Sequence, residues 1–341
     1  MKVAKLYSYN DIRIEEQPIP EIGPDEALVR TRASGICTGD VMKWYIEKKA
    51  PMVLGHEPAG EITDTGRDAG HFNIGDRVFI HHHAPCFVCN YCKRGDYVQC
   101  ATWKKSRIIP GGISEYILVP GGNLKNDTHK LPDHVSFEAA TLIEPTACVV
   151  KSIKRAGMCP GDTVLVMGLG VMGLLHVMIA KKSGAGRIIG ADLVGYRLEK
   201  AIEAGADNVI DIGKTDLFNA LKGFTDGRMA HIVIVGPNSA DAMKKGLSCV
   251  AAGGTVVFFT PSMPGESINI DPNQLYFNDI SIVTSYSCGP TDTADALELI
   301  ESGAISADLL ITHRFFINDT AKAFELTARA KESLKNIIVF D

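Results

Sequence analysis

The sequence lacks the features that mark membrane proteins and nucleic-acid-binding proteins. No uninterrupted apolar run approaches the roughly 18–20 residues needed to cross a bilayer. Basic residues are not in excess, because the 341 residues carry a formal net charge of −5, which argues against nucleic acid or a membrane surface as a partner. The opening MKVAKLYSYNDIRIEE has neither the basic nor the apolar region of a secretory signal, so we expect a cytoplasmic protein.

Internal repeats and low-complexity tracts are also missing, and what is present falls into two patterns. Up to about residue 150, short β-like runs such as GDRVFI and SEYILVP are separated by Gly, Pro and Asp, which predicts a β-rich domain. From about Gly161, apolar strand runs such as TVLVM and HIVIVG alternate with helical patterns. That alternation predicts an α/β domain with a doubly wound parallel sheet and helices on both faces.

A glycine-rich loop opens the second pattern. In TVLVMGLGVMGLLHVMIAKK, a G-x-G-x-x-G motif directly follows a strand and begins a helix. Gly168 permits the tight turn, Gly170 lets a pyrophosphate approach the backbone, and Gly173 allows the helix to pack closely on the strand, with Val171 and Met172 in the same loop. The motif predicts a dinucleotide site; a glycine turn without a ligand and an S-adenosylmethionine site are the alternatives.

Two later residues bear on which dinucleotide binds. Asp192, which closes the next strand, would accept hydrogen bonds from both ribose hydroxyls and repel a 2′-phosphate. Arg197 lies five residues further, near the expected adenine position, and is the one feature that softens this preference. We therefore expect NAD rather than NADP.

Four of the nine cysteines lie within CFVCNYCKRGDYVQC, which spaces them as C-x2-C-x2-C-x7-C. Such spacing lets four thiolates converge on a tetrahedral zinc ion and saturate it, so the site can only hold a loop in shape. An iron–sulfur cluster fits less well because the last gap and the missing proline break its pattern. Disulfides are disfavoured by the short gaps and by a reducing compartment. We expect a structural zinc bound by Cys86, Cys89, Cys92 and Cys100.

Most of the chain resembles the zinc-dependent medium-chain alcohol and polyol dehydrogenases, which include sorbitol and threonine dehydrogenases. The resemblance lies in Cys37-x-x-Asp40, GHEPAGEI, GDRV, the four-cysteine segment, GGISEY, EPTACV, the glycine loop and ALELIESGAI, in one order along the chain. It implies a GroES-like β-rich catalytic domain over residues 1–150, completed by 288–341. A Rossmann NAD-binding domain over 151–287 lies between them. It also implies a homo-oligomer, either a dimer or a tetramer.

The resemblance further implies a catalytic zinc, the second of two per chain. Its ligands would be Cys37 and His56, with Glu57 or Glu144 as the acidic ligand, and Asp40 would orient the histidine. Zinc would accept the oxygen of a small alcohol or polyol as an alkoxide, whose carbon passes a hydride to NAD. Two other readings stay open: a zinc-free quinone or enoyl reductase of the same fold, and a non-catalytic module that binds zinc and a nucleotide.

The sequence departs from this family where a proton relay is expected. The position two residues after the zinc cysteine, commonly Ser or Thr, is Gly39, and a histidine found further on in polyol dehydrogenases is Met42. We therefore expect Thr38 or a bound water to take the alcohol proton. Three consecutive histidines, His81, His82 and His83, cannot all face one way on a strand. They are either polar residues leading into the cysteine segment or include one proton acceptor or substrate contact.

Overall fold

The computed structural model describes residues 1–341, which divide into two compact units. Unit 1 consists of Met1–Ala147 and Cys288–Asp341, and unit 2 of Cys148–Ser287. None of the helices is both long enough and apolar enough to pass through a bilayer.

The first segment of unit 1 is mostly strand. Its strands are β1 (Lys2–Ser8), β2 (Asp11–Glu16), β3 (Ala27–Gly35), β4 (Met52–Val53), β5 (Glu57–Thr65), β6 (Arg77–Ile80), β7 (Tyr116–Val119) and β8 (Thr128–Lys130). Its helices are α1 (Lys43–Ile46), α2 (Asn90–Lys93), α3 (Ala101–Lys105), α4 (Gly121–Asp127), α5 (Phe137–Ala140) and α6 (Ile143–Ala156), the last of which continues past Ala147.

Unit 2 alternates strand and helix. Its strands are β9 (Thr163–Met167), β10 (Arg187–Asp192), β11 (Asn208–Asp211), β12 (Ala230–Val235), β13 (Val250–Phe258) and β14 (Ser281–Thr284). Its helices are α7 (Val171–Lys182), α8 (Gly195–Ala204), α9 (Leu217–Phe224), α10 (Ala240–Ser248) and α11 (Pro272–Phe277). The returning segment of unit 1 adds α12 (Pro290–Glu301), α13 (Ala307–Leu310), β15 (Ile311–Phe316), α14 (Thr320–Arg329) and β16 (Lys335–Val339).

The strands of unit 1 form a seven-stranded sheet and a three-stranded sheet. The larger runs β15-β16-β3-β5-β6-β8, with β7 paired to β3, and the smaller runs β2-β1-β4. Burial alternates along the first half of β3, as expected of a strand with one face on a core. Because β16 pairs with β3, the last residues of the chain lie beside the first strands of the sheet. The β-rich part expected from the sequence is confirmed.

Unit 2 is a parallel six-stranded sheet with the order β11-β10-β9-β12-β13-β14. Numbered within the unit, this is 3-2-1-4-5-6, the order of a doubly wound dinucleotide-binding sheet, which confirms that expectation. In such a sheet, ligands bind at the carboxyl ends of the strands where the order reverses, here between β9 and β12. The glycine loop follows β9 and therefore lies at this point.

Helix α7 contains a buried histidine that lowers stability in acid. His176 is 1% exposed, its Nδ1 is 2.7 Å from the Met172 carbonyl oxygen, and its Nε2 is 3.0 Å from Ser152 Oγ. Burial lowers the pKa of His176 to about 4, with the Met172 carbonyl opposing that effect. The folded protein therefore favours the neutral imidazole.

We expect His176→Gln to change how stability depends on pH. Between pH 6.5 and about 4 the unfolded chain binds a proton that the folded chain rejects, so wild type loses up to about 3 kcal/mol as the pH falls through this window. The difference in free energy of unfolding between wild type and variant, measured in urea, should shrink from pH 7 to pH 4.5. The exposed His134 serves as the control, since His134→Gln should leave the difference constant. A constant difference for His176→Gln would contradict this account.

Candidate metal centres and dinucleotide loop

The four clustered cysteines converge in unit 1. Their ligand atoms lie within 4.8 Å of one another, with Sγ–Sγ distances of 4.0 Å for Cys86–Cys92, 3.5 Å for Cys89–Cys92 and 3.6 Å for Cys86–Cys100. A tetrahedral ion with metal–sulfur bonds of about 2.3 Å separates its ligands by about 3.8 Å. The four thiols therefore fit a closed zinc site, and Val98 and Trp103 pack against it.

A second donor set consists of Cys37, His56 and Glu57. Cys37 begins a short 3₁₀-helix over Thr38–Val41, and its Sγ accepts a hydrogen bond from the Gly39 N–H at 3.3 Å. His56 and Glu57 lie where the chain enters β5. The ligand atoms of the three residues lie within 4.8 Å of one another. Thiolate, imidazole and carboxylate suit zinc, and three protein ligands leave a fourth position for another molecule.

Two buried carboxylates hold this donor set in place. Asp40 Oδ2 lies 3.3 Å from His56 Nδ1, so it orients the imidazole and leaves Nε2 for a ligand. Glu57 is 1% exposed; its Oε2 accepts a hydrogen bond from the Lys335 ammonium, whereas its Oε1 has no hydrogen-bond partner. Burial raises the pKa of Glu57, and the Lys335 charge opposes that rise. A buried carboxylate oxygen without a hydrogen bond fits a metal ligand.

Gly35 is required for the Glu57–Lys335 pair. A Cβ at this position would lie 1.9 Å from Glu57 Oε2 and 2.8 Å from Lys335 Cε. Gly35 is paired with Glu57 across β3 and β5, and with Ile337 across β3 and β16. The absence of a side chain on β3 therefore opens the space in which the cation and the carboxylate meet.

Glu144 lies in the first turn of α6 and belongs to a different group of ligand atoms. That group is His81, Glu144 and Cys288, again within 4.8 Å of one another. The charge of Glu144 also raises the pKa of Glu57. Neither His81 nor Cys288 was identified from the sequence as a partner of Glu144, because the three residues are far apart along the chain.

The three consecutive histidines have three different environments. His81 Nδ1 is 2.6 Å from Asp127 Oδ2, and His83 Nδ1 is 2.8 Å from the Ser106 carbonyl oxygen. The His82 ring lies 5.0 Å from the His56 ring, measured between centroids, and its buried Nδ1 has no hydrogen-bond partner. Burial and the charges of neighbouring groups lower the pKa of His82 well below its usual range. His82 is therefore a neutral imidazole, and its ring lies beside the Cys37–His56–Glu57 set.

The residues expected to relay a proton offer one exposed hydroxyl. Thr38 is exposed, next to Cys37 in the chain. At Gly39 a Cβ would lie 3.4 Å from Cys37 Sγ, an ordinary contact, so a side chain fits there. Met42 follows the short helix and is half-buried.

The glycine loop of unit 2 is shaped for a ligand. Gly168 has φ +84°, in the left-handed region, and a Cβ at Gly173 would lie 2.0 Å from the Gly168 carbonyl oxygen. A Cβ at Gly170 would meet nothing within 4 Å, and no side chain caps the N-terminus of α7 there. The backbone N–H groups at this helix end can therefore bind phosphate.

Asp192 joins the end of β10 to this loop. Its Oδ2 accepts a hydrogen bond from the Leu169 N–H at 2.6 Å, and its Oδ1 accepts from the Leu193 and Val194 N–H groups at 2.7 and 2.9 Å. Arg197 Nη1 lies 3.6 Å from Asp192 Oδ2. The carboxylate is thus fixed between the glycine loop and α8, where a ribose would lie.

Comparisons with known proteins agree with this geometry. Residues 23–133 match the family model of the alcohol dehydrogenase GroES-like domain, and residues 171–302 match that of the zinc-binding dehydrogenase. Sorbitol dehydrogenase of Bombyx mori is 33% identical over 350 aligned residues, which cover 98% of this chain and 97% of the relative.

Solved structures resemble the whole chain. A zinc-binding dehydrogenase from Sinorhizobium meliloti, bound to NADP, has a TM-score of 0.89 at 27% identity and covers 99% of both chains. An alcohol dehydrogenase from Escherichia coli, complexed with NADH, has a TM-score of 0.89 at 26% identity and covers 100% of this chain and 99% of its own.

We expect Lys335→Met to destabilise unit 1 strongly. Removing the cation leaves the Glu57 carboxylate buried without its ion-pair partner, which costs about 3–5 kcal/mol of stability. Chemical denaturation of the zinc-loaded protein measures this difference. Lys245→Met, which breaks the exposed Lys245–Asp241 pair, is the matched control and should change stability by no more than about 0.5 kcal/mol. Equal effects of the two substitutions would contradict the importance given to the buried pair.

Proposed function

We propose that this chain, which belongs to the zinc-binding alcohol dehydrogenases with a GroES-like domain, oxidises a secondary alcohol of the polyol or sugar class with NAD⁺. Because it belongs to this family, the chain is a zinc-dependent oxidoreductase that uses a nicotinamide dinucleotide. The observation that carries this proposal is the Cys37–His56–Glu57 donor set, in which one buried carboxylate oxygen has no hydrogen bond. The name of the silkworm relative, sorbitol dehydrogenase, supports a polyol as the substrate.

In this proposal unit 1 holds both zinc ions. Cys86, Cys89, Cys92 and Cys100 hold the structural ion, and Cys37, His56 and Glu57 hold the catalytic one; Glu144, the other acidic ligand expected from the sequence, belongs to a different group of ligand atoms. When bound at an open site, zinc lowers the pKa of an alcohol and polarises a carbonyl. The role of Asp40 is to hold the His56 ring in the orientation that a metal ligand needs.

Unit 2 would hold the coenzyme. The N–H groups of Val171 and Met172, at the start of α7, would bind the pyrophosphate that Gly168, Gly170 and Gly173 allow to approach. Asp192 would accept a hydrogen bond from the ribose, and its negative charge favours NAD over NADP. Arg197, which contacts that carboxylate, would lie beside the adenine end of the coenzyme.

His82 and Thr38 would handle the substrate hydroxyls. The neutral His82 imidazole is a poor proton acceptor at neutral pH because its pKa is low, but its unbonded Nδ1 can hydrogen-bond a hydroxyl of a polyol. Thr38 is exposed next to Cys37, so its hydroxyl would pass the alcohol proton to solvent water. Gly39 has no side chain and contributes no group to this transfer.

We also propose that the chain forms a homo-oligomer through the open edge of the unit 2 sheet. Strand β14 is paired on one side only, to β13, and Ile282 and Val283 on it are half-buried. On α11, which precedes this strand, Tyr276 and Phe277 are 77% and 74% exposed. A second copy pairing along β14 would cover these apolar side chains, which favours a dimer, or a tetramer of two dimers.

A cytoplasmic location is part of the proposal. All nine cysteines are present as thiols. Six of them belong to the three groups of potential metal ligands, and a seventh, Cys249, is buried in the core. Thiols of this kind persist in a reducing compartment.

An assay with a panel of polyols, sugars and simple secondary alcohols tests the proposed activity. We expect NAD⁺-dependent formation of NADH, preferred over NADP⁺, with a polyol or sugar among the best substrates. Cys37→Ser should abolish turnover while the cofactor still binds, and Cys159→Ser, which changes an exposed cysteine, should leave turnover unchanged. Binding of zinc and NAD without turnover on any alcohol would contradict the proposal and favour a non-catalytic module.

Two variants in the same assay test the proton transfer. Thr38→Ala should lower kcat about 10²-fold at neutral pH and alter its pH profile, because general acid–base groups contribute on that scale. The double substitution Thr38→Ala with Gly39→Ser should recover part of the rate, since a side chain fits at position 39. An unchanged rate and pH profile in Thr38→Ala would exclude Thr38 and leave water as the carrier.

Sedimentation at micromolar concentration tests the oligomer. We expect a mass of two or four chains for wild type and a smaller mass for Phe277→Lys. A charge on the face that the second copy would cover opposes association. Phe218, 41% exposed on α9, gives the matched control, and Phe218→Lys should keep the wild-type mass. A monomeric wild type would overturn this part of the proposal.

A further inference from the structure

His81, Glu144 and Cys288 form a group of which only Glu144 was considered in the function proposed above. All three side chains are buried: His81 and Cys288 are 0% exposed and Glu144 is 6% exposed. His81 follows β6 and offers nitrogen, and Glu144 lies in the first turn of α6 and offers oxygen. Cys288, the first residue of the second segment of unit 1, offers sulfur. We call this group the inner cluster.

The spacing in the inner cluster is that of ligands of one ion. His81 Nε2 lies 3.7 Å from Cys288 Sγ. A tetrahedral zinc ion with bonds of about 2.0–2.1 Å to nitrogen and about 2.3 Å to sulfur separates these atoms by about 3.6 Å. The four-cysteine group shows the same agreement, with Sγ–Sγ distances of 3.5–4.0 Å. A hydrogen bond between the Cys288 thiol and the His81 imidazole has a similar length. The choice between a hydrogen bond and a metal site therefore depends on the third donor, Glu144, and on the surroundings of His81.

A buried carboxylate orients the His81 ring toward the cluster. His81 Nδ1 donates to Asp127 Oδ2 at 2.6 Å, and Asp127 Oδ1 accepts from Thr293 Oγ1 at 2.5 Å. Asp127 is 1% exposed. In the neutral ring this arrangement places the proton on Nδ1 and leaves the Nε2 lone pair for a ligand on the side of Cys288, as carboxylates do for histidines that bind metals. In the Cys37–His56–Glu57 set the Asp40 carboxylate also lies beside its histidine, at a longer distance of 3.3 Å between Oδ2 and His56 Nδ1.

The charges of the inner cluster suit a divalent ion. The Asp127 charge is already paired by hydrogen bonds from His81 and Thr293. A thiolate, a carboxylate and a neutral imidazole carry two negative charges between them, so a bound dication makes the set of ligands itself neutral. Burying such a neutral group costs far less than burying an isolated charge. The mixture of sulfur, nitrogen and oxygen donors favours zinc over magnesium or calcium, which prefer oxygen alone.

We propose that the inner cluster binds a third zinc ion, in addition to the catalytic and four-cysteine ions. Its place in the chain gives it a structural role. Glu144 lies three residues before the first segment of unit 1 ends, and Cys288, 144 residues further on, is the residue at which the chain returns to unit 1. The ion cross-links the point where the chain leaves unit 1 to the point where it returns. This role does not depend on the dehydrogenase activity.

Zinc content of the full-length protein tests the third site. After equilibration with excess Zn²⁺ and desalting, elemental analysis should find three zinc ions per chain in wild type and two in Cys288→Ala and in His81→Gln. Cys249, buried in the core of unit 2 and outside every donor group, is the matched control. Cys249→Ala should keep three ions. Two ions in wild type, or three in Cys288→Ala, would overturn the proposal.

Anomalous diffraction from wild-type crystals at the zinc edge decides the question without any variant that must fold. We expect three peaks per chain, one of them between His81 Nε2, Cys288 Sγ and the Glu144 carboxylate. Peaks only at the four-cysteine and Cys37–His56–Glu57 groups would show that the inner cluster is a hydrogen-bonded network of buried side chains, and would refute a metal there.

Discussion

The buried pair of Glu57 and Lys335 is the interaction on which the candidate metal centre of Cys37, His56 and Glu57 depends. Three adjacent strands create it: β5 provides the carboxylate, β16 provides the cation, and β3 lies between them with Gly35 at the point where they meet. The ammonium binds one carboxylate oxygen and leaves the other, which is buried, without a hydrogen bond. Without this neutralisation, burial alone would favour the protonated acid, which is a poor metal ligand.

The same principle recurs at three other places: a buried carboxylate lies against the group that binds. Asp40 orients His56, Asp127 orients His81, and Asp192 binds the backbone of the glycine loop. Each carboxylate comes from a different element from the group that it holds, so the sites are rigid only after the chain is folded. The binding residues themselves are few, and their geometry comes from these acidic neighbours.

Local signals carried most of what was predicted from the sequence. Strand–helix alternation gave the doubly wound sheet, and the spacing of Cys86 to Cys100 gave their convergence, because those residues are close along the chain. Lys335, Cys288 and the pairing of His81 with Asp127 were not predicted, since they depend on which strands become neighbours over 46 to 278 residues. Likewise, alternation along a strand showed that the three histidines must differ, but only the tertiary structure identifies His82 as the neighbour of His56.

The split of unit 1 into two segments sets the order in which its metal sites can mature during synthesis. The four cysteines lie within fifteen residues and can capture zinc while the ribosome is still translating unit 2. Lys335 lies 278 residues after Glu57, so Glu57 gains its cation only after unit 2 has been synthesised and the chain has returned to unit 1. The Cys37–His56–Glu57 set is therefore completed later than the four-cysteine group, and a polypeptide that stops within unit 2 would hold the four cysteines but lack the cation beside Glu57.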